Sequence, residues 1–380
     1  MKYRWLAAST GFALFSMFFG SGNLVFPISV GQQSDGHYLL ASLGILMTGV
    51  IVPFFGVFGM ILYRGDIKSF FSCFGSKGTF WFSFLALALM GPFGVLARCL
   101  TVAHGAFQLL FPSISLPITS AVLCLIIYTL AVKKNKIVPI LGTILTPLLL
   151  VSIFTIAICG LKHTSFAPPV GASGWPALKN GFLQGYQTMD LLAAFFFSTF
   201  VINHLTRTVA KTSDGSSPIG LFFKASLIGA GLLSVVYLCL VALGWTYASA
   251  LVDVPPQELL GRIAVEALGS LAAPCVSIVV ILACLTTSIV LASLFAEFLR
   301  KEIAYEKIKP NLALGITLLI SFVVSTFEFS GIAKFLGPIL ETVYPALIVL
   351  TFVNIAHKQW GFRATHWPAT VTVLAKFCFL

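Results

Sequence analysis

The polar residues best suited to chemistry lie inside apolar stretches of the chain. Residues 18–27 read FFGSGNLVFP, which places Gly20, Ser21, Gly22 and Asn23 within an apolar run. Each Gly costs a helix about 1 kcal/mol relative to Ala, so we expect the helix to unwind here. Unwinding exposes N–H groups that suit a carboxylate and carbonyl oxygens that suit a cation such as sodium. The open alternative is that the glycines only allow close helix packing.

A second polar stretch, GYQTMD, contains Tyr186, Thr188, Met189 and Asp190. A carboxylate inside an apolar span is energetically expensive and usually functional. Asp190 could bind a substrate ammonium group, bind a coupling cation, or form a structural ion pair with Arg98. The sequence leaves these three interpretations open.

The third polar stretch, ACLTTS, begins at Ala283 and places Thr286, Thr287 and Ser288 in another apolar run. Hydroxyl oxygens are suitable ligands for a hard cation. Ser and Thr in membrane helices also commonly bond to a carbonyl one turn earlier, which is the ordinary structural explanation. Both explanations remain open at this point.

The composition predicts an all-α polytopic transmembrane protein. Of the 380 residues 58% are hydrophobic and only 9% are charged, whereas soluble domains carry about 25% charged residues. This excludes soluble enzymes, nucleic-acid binders and secreted scaffolds. The chain contains no H-E-x-x-H or G-x-S-x-G motif, and its His residues show no ligand spacing, so we do not expect an enzyme. We also expect no cofactor and no nucleic-acid partner.

Apolar runs predict ten membrane spans of roughly 20 residues. They lie near residues 5–29, 38–62, 79–111, 115–132, 137–161, 182–204, 218–247, 273–299, 311–328 and 333–355. The long third run predicts a tilted helix. An eleventh run, 367–380, is short and is interrupted by Lys376, so we expect a span truncated there. Residues 250–272 contain a short amphipathic pattern that could form a lid or an ordinary surface helix.

The basic residues predict the orientation in the membrane. Alternate loops carry 16 Lys and Arg on one side and three on the other. By the positive-inside rule, the N-terminus is expected in the cytoplasm and the protein in the bacterial cytoplasmic (inner) membrane. Lipid is then an expected partner, whereas the sequence does not indicate an oligomeric state.

The two interrupted runs open successive groups of five spans. An odd number of spans per group makes the second group enter the membrane from the opposite side, which predicts a five-plus-five inverted repeat with discontinuous helices 1 and 6. The predicted boundaries are 1–161 for the first repeat, 162–355 for the second and 356–380 for a partial eleventh helix. Interrupted helices at corresponding positions indicate a transporter site near the bilayer midplane.

Several motifs together resemble the bacterial branched-chain amino acid carrier family. They are FFGSGNLVFP at 18–27, Gly91-Pro92 followed by Arg98, NGFLQGYQTMD at 180–190, ACLTT at 283–287 and PILETVYP at 338–345. The resemblance implies a leucine-transporter-type fold of the amino acid/polyamine/organocation superfamily. It also implies symport of Leu, Ile and Val with sodium.

The resemblance further implies roles for individual residues. Backbone N–H groups of Ser21 and Gly22 would bind the substrate carboxylate, and the predicted substrate site comprises Gly20, Ser21, Gly22, Asn23, Tyr186, Thr188, Met189 and Asp190. The implied sodium site comprises Ser16, Phe19, Ala283, Thr286, Thr287 and Ser288. Arg98 would be a structural or coupling charge. The alternatives are a proton-coupled carrier of another small neutral amino acid, or a truncated homologue acting as a non-transporting scaffold or sensor.

Overall fold

The chain is helical throughout the part that the structure describes, with no strand there, as predicted. The structure is a computed structural model that describes residues 2–132, 146–162, 173–212, 218–269 and 272–361. In chain order the helices are α1 Lys2–Phe18, α2 Ser21–Gln32, α3 Tyr38–Leu46, α4 Val52–Leu62, α5 Ile67–Phe70, α6 Gly75–Met90, α7 Val95–Gln108, α8 Leu116–Ala131, α9 Thr146–Leu161, α10 Trp175–Gln187, α11 Asp190–Thr212, α12 Pro218–Thr246, α13 Leu259–Leu268, α14 Ala272–Phe298, α15 Pro310–Ser325 and α16 Glu328–Trp360. A π-helical turn, Met47–Ile51, joins α3 to α4.

Helices long and apolar enough to cross a membrane occur at seven places in the described residues. Six of them are single segments of sufficient length and hydropathy, and the bent pair α1–α2 forms the seventh. Three further apolar helices, α8, α9 and α15, are shorter, at 16 residues each. Together these ten elements coincide with the ten predicted runs. The start of the fifth run and the whole eleventh run, 367–380, lie outside the described residues, and the repeat boundaries stay a prediction.

The first span breaks where the sequence predicts. α1 ends at Phe18, α2 begins at Ser21, and the two helix axes differ by 71°. Gly20 has an extended backbone with φ −108° and ψ −161°. The break is narrower than the predicted polar stretch, because Ser21, Gly22 and Asn23 already form the first turn of α2. Only Phe19 and Gly20 therefore lie outside a helix.

The second predicted break is smaller. α10 ends at Gln187 and α11 begins at Asp190, while the whole segment Trp175–Thr206 still qualifies as one span. Met189 has φ +63°, the left-handed conformation that a non-glycine residue rarely adopts. This local reversal interrupts the helical hydrogen bonds without a large bend.

The third span is interrupted, in contrast to the tilted helix expected from its length. α6 ends at Met90 and α7 begins at Val95, with a turn between them. A Cβ on Gly94 would lie 1.9 Å from the carbonyl oxygen of Leu89, so this turn requires glycine. The extra residues of the run are used in the turn rather than in a longer helix.

The helices pack in two groups. In the first group α1 and α2 pack on α12, α3 packs on α10, and α4 packs on α11. In the second group α14 packs on α7, α8 and α15, and α8 also packs on α15. Both helix breaks that involve polar sequence, at Phe19–Gly20 and at Thr188–Met189, belong to the first group and face the second.

The two ends of the molecule carry different features. At one end, which we call the basic face, a cavity is lined by Lys68, Lys77 and Lys301 together with Glu297 and Glu302. There Asp66 caps α5, and a hydrogen bond from the Ser69 hydroxyl holds the pKa of the Asp66 carboxyl below its usual range. At the opposite end, the distal face, the predicted amphipathic segment forms α13, which buries Leu259, Leu260 and Ile263.

α2 and α12 approach each other through two glycines. A Cβ on Gly31 would lie 2.0 Å from the carbonyl oxygen of Val241, and one on Gly244 would lie 2.1 Å from that of Ile28. Contacts this short leave no room for a side chain, so the second half of the first span is fixed against α12 at backbone distance.

We predict that Gly244→Ala lowers the thermal unfolding midpoint in detergent, since the new methyl group must push α2 and α12 apart. Overpacking of this kind costs about 1–3 kcal/mol. The matched control is Gly315→Ala on α15, where an added Cβ meets nothing within 4 Å. That control should be neutral or stabilising, because Ala favours a helix by about 1 kcal/mol. Equal midpoints for the two variants would contradict the prediction.

Candidate functional site

The break in the first span places a helix N-terminus inside the protein. Ser21, Gly22 and Asn23 are all buried, and Gly20 supplies no side-chain cap for α2. The first backbone bond across this turn runs from the Leu24 N–H to the Gly20 oxygen, at 3.2 Å. The preceding N–H groups have no carbonyl within α2 to bind. Together with the helix dipole, they suit an anionic group such as a carboxylate.

Asp190 connects the two breaks. Its carboxylate, on a residue only 2% exposed, accepts hydrogen bonds at Oδ2 from Asn23 Nδ2 at 2.8 Å and from the Tyr237 hydroxyl at 3.1 Å. The Thr188 hydroxyl lies close by. Within the described part of the chain, Asp190 forms no ion pair with a Lys, Arg or His. It is therefore a buried carboxylate held by neutral groups.

A small cavity of about 10 Å³, with room for about one water molecule, lies where the two breaks meet. Five of its lining residues are polar or glycine, namely Gly20, Asn23, Thr188, Asp190 and Thr287. The other eight are apolar: Met17, Phe18, Met90, Val95, Met189, Ala193, Phe197 and Leu291. Polar and apolar groups thus meet at the breaks, which is the combination that a small molecule with a charged and an apolar part requires, and the walls must move apart before such a molecule fits.

The predicted substrate residues lie close together but do not all line this cavity. Gly20, Asn23, Thr188, Met189 and Asp190 line it. The remaining three are adjacent to it or stand away from it. Ser21 receives a hydrogen bond from the Cys99 thiol at 3.5 Å, and a Cβ on Gly22 would lie 3.3 Å from Thr188 Cα. The Tyr186 ring packs against that of Tyr344 in a tilted arrangement, with ring centroids 5.0 Å apart.

The residues of the implied sodium site lie beside the first break. Ser16, Ala283 and Thr286 line one small cavity together with Leu149 of α9. The Thr287 hydroxyl donates to the carbonyl oxygen of Phe19 at 3.5 Å, which joins α14 to the break.

Two further observations concern the hydroxyl groups of Thr286, Thr287 and Ser288 as possible cation ligands. Thr286 donates to the Ala283 carbonyl at 2.8 Å, which is the ordinary bond to the preceding turn. Ser288 is buried and lies near the Cys99 thiol. The set offers carbonyl and hydroxyl oxygens without a carboxylate, and neutral oxygen donors suit a hard monovalent cation.

Arg98 has a different partner from the one that charge pairing suggests. It donates from Nη1 to the backbone oxygen of Gln187 and from Nη2 to Oε1 of the same residue, each at 2.8 Å. The guanidinium packs against the rings of Phe26 and Phe329, 5.3 Å and 5.5 Å from their centroids, and the two rings also contact each other. The structural pair of Arg98 with Asp190 is therefore not formed. The cation instead binds the carbonyl end of α10, where the helix dipole is negative.

Sequence reasoning missed two residues of this site. Tyr237 lies in a uniformly apolar run of α12, and only its contact with Asp190 across the fold reveals it. Gln187 lies inside the GYQTMD motif, and its polarity within a span was the available signal. Its role as the acceptor for Arg98 depends on the end of α10, which the sequence does not locate.

Solved structures with the same architecture support the fold assignment. The chain is similar to MhsT in complex with L-phenylalanine, with a TM-score of 0.66 at 16% identity, over 97% of each chain. It is also similar to the inward-facing conformation of Mhp1, with a TM-score of 0.59 at 15% identity, over 92% of this chain and 77% of that one. These similarities confirm the leucine-transporter-type helical fold.

Sequence comparisons identify the family. A family model described as "Branched-chain amino acid transport protein" matches residues 6–379. The branched-chain amino acid permease BraB of Bacillus subtilis (strain 168) is 31% identical over 92% of this chain and 80% of its own length. The branched-chain amino acid permease BrnQ of Corynebacterium glutamicum is 27% identical over 96% of this chain and 85% of its own length. The chain is thus a multi-pass membrane protein of transporter rather than enzyme type, and it belongs to the branched-chain amino acid transport protein family.

Proposed function

We propose that this protein imports leucine, isoleucine and valine together with sodium across the bacterial cytoplasmic membrane, by alternating access. The observation that carries the proposal is the convergence of the two helix breaks, where Asp190 and the α2 N-terminus lie beside apolar side chains that line the same small cavity. The permease names of the relatives support the substrate class. The excess of basic residues in alternate loops supports a cytoplasmic position for the N-terminus and the basic face.

The geometry suggests how the amino acid binds. Its carboxylate accepts hydrogen bonds from N–H groups at the start of α2, and its ammonium group binds the Asp190 carboxylate. Its side chain then lies among Met17, Val95, Ala193 and Phe197. A hydrophobic pocket separates substrates that differ by one methylene by only about 1–3 kcal/mol, so Leu, Ile and Val should share it.

Sodium would bind beside the substrate, between the first break and α14. Oxygen atoms of Ser16, Phe19, Ala283 and Thr287 are the proposed ligands, with Thr286 and Ser288 as neighbouring hydroxyls. One sodium entering across 100 mV supplies about 2.3 kcal/mol, and a tenfold gradient adds about 1.4 kcal/mol. Together these terms could sustain a substrate gradient of roughly 500-fold.

Proton coupling is the second candidate, and one observation favours it. Asp190 is a buried carboxylate whose described partners, Asn23, Tyr237 and Thr188, are all neutral. Binding a proton there would neutralise the charge during the return of the empty carrier. The experiment below therefore includes a proton gradient as a separate condition.

The coupling ion is tested with purified protein in liposomes. We expect an inward sodium gradient to drive accumulation of labelled isoleucine, and Thr287→Ala to reduce it at least tenfold by removing a hydroxyl ligand that faces the Phe19 carbonyl. The control, Thr155→Ala, removes an exposed hydroxyl of α9 that bonds only to its own helix. Equal uptake in sodium-free medium would refute sodium coupling. Uptake driven by a proton gradient alone would support the second candidate.

Asp190→Asn should reduce isoleucine uptake by one to two orders of magnitude under either gradient, because it removes the charge that binds the ammonium group. The amide keeps an oxygen that can accept the bonds from Asn23 and Tyr237, so folding should persist. The matched control is Asp66→Asn, which alters a helix cap at the basic face. Unchanged uptake by Asp190→Asn would exclude Asp190 from substrate and proton binding alike.

Ala193→Val should change the substrate preference by adding two methyl groups to the apolar end of the cavity. We expect the ratio of valine uptake to leucine uptake to be about tenfold higher than in the unaltered protein, which corresponds to about 1.4 kcal/mol. Competition between labelled valine and unlabelled leucine measures this ratio. Ala121→Val on the exposed side of α8 serves as the control, and an equal ratio for both variants would remove Ala193 from the side-chain pocket.

A further inference from the structure

A large cavity at the basic face approaches the small cavity at the helix breaks. A cavity of about 780 Å³ opens at the basic face and reaches Leu87 of α6 and Phe196 of α11. Met90, one turn further along α6, and Phe197 already line the substrate cavity. Only about one layer of side chains separates the two spaces. The contacts that close the distal side therefore determine whether the site can open there.

Arg98 joins four helices on the distal side of the breaks. It lies on α7 of the second packing group and donates two hydrogen bonds to Gln187 at the end of α10. The ring of Phe26 on α2 and that of Phe329 at the start of α16 lie over its guanidinium. Gln187 also approaches α16, because a Cβ on Gly337 would lie 3.0 Å from its Nε2. We call Arg98, Gln187, Phe26 and Phe329 the distal clamp.

The charge of the distal clamp is not compensated within the described part of the protein. Arg98 is fully buried, both of its hydrogen-bond acceptors are neutral oxygens of Gln187, and its Nε has no partner. A carboxylate binds a guanidinium more strongly than neutral oxygens do, and it can accept two parallel bonds from the planar fork. An incoming carboxylate could therefore displace Gln187 from Arg98.

We propose that the distal clamp is the outer gate of the carrier and that Arg98 is a binding site for the substrate carboxylate on the way in. The carboxylate of an amino acid arriving from the distal side replaces the two Gln187 oxygens on the guanidinium. This exchange frees the end of α10 from α7, and the substrate then moves on to the cavity at the breaks. The inference rests on the proposed amino acid transport and adds a gate, with a binding site of its own, outside the cavity already described.

Gln187→Glu distinguishes a gate from a structural contact. The new carboxylate would stand where Oε1 lies now, 2.8 Å from the guanidinium, and would compete with the substrate carboxylate. We expect the KM for isoleucine to rise at least tenfold when substrate is added at the distal face and to change less than twofold at the basic face. Right-side-out and inside-out membrane vesicles give the two values. A purely structural contact would be strengthened by Glu and would leave both KM values equal to those of the unaltered protein.

The matched control is Gln184→Glu, which adds the same charge three residues earlier on α10. It should leave both KM values unchanged. If Gln187→Glu does not fold, Arg98→Gln provides the second measurement. This variant removes the cation and should likewise raise the KM at least tenfold at the distal face alone.

The outcomes separate the two proposals. Equal KM shifts at both faces, or no shift in any variant that folds, would overturn the gate while leaving transport intact. An unaltered protein that transports no branched-chain amino acid from either face would instead overturn the proposed function.

Discussion

The main constraint on this structure is that backbone N–H and C=O groups at a helix break inside an apolar core lose their hydrogen-bond partners within the helix. An unsatisfied N–H or C=O in hydrocarbon costs several kcal/mol, so a broken span survives only where other groups bind its ends. At the first break the Phe19 carbonyl accepts the Thr287 hydroxyl, and at the second break the Gln187 carbonyl accepts Arg98. The N–H groups that begin α2 lack a side-chain cap. A ligand with an anionic group can supply the missing partner there.

The two buried charges of the site follow the same constraint. Asp190 and Arg98 are both almost completely buried, yet each is bound by neutral groups rather than by the other. A direct ion pair would satisfy both charges permanently and leave little for a substrate to bind. Because they are kept apart, a zwitterionic amino acid can offer an anion to one and a cation to the other at different stages of its passage.

The sequence predicts the first break well and the second one poorly, for a physical reason. Gly20, Gly22 and Asn23 are weak helix formers in an apolar run, so local propensity alone locates the interruption. Around Thr188 and Met189 the residues are compatible with a helix, and the positive φ of Met189 depends on tertiary contacts. The sequence leaves the partner of Arg98 open, because charge pairing offers Asp190 as one candidate, whereas the end of a half-helix offers a carbonyl that the sequence does not reveal. Tyr237 could not be found for a similar reason, since its contact with Asp190 joins distant parts of the chain.

Helix α12 holds both halves of the broken first span in place, and this limits which parts of the structure can move. Glycine contacts fix α1 to α12 at Gly11 and α2 to α12 at Gly31 and Gly244, so both halves of the broken span are held by one continuous helix. α12 also supplies Tyr237 to Asp190. Among the described residues, the hydrogen bonds at the site from this first packing group to the second join Phe19 with Thr287, Ser21 with Cys99, and Gln187 with Arg98. Backbone-distance packing within a group resists rearrangement, whereas single hydrogen bonds between groups can exchange for a ligand. The interface between the two groups, rather than either break by itself, is therefore where binding and movement can be coupled.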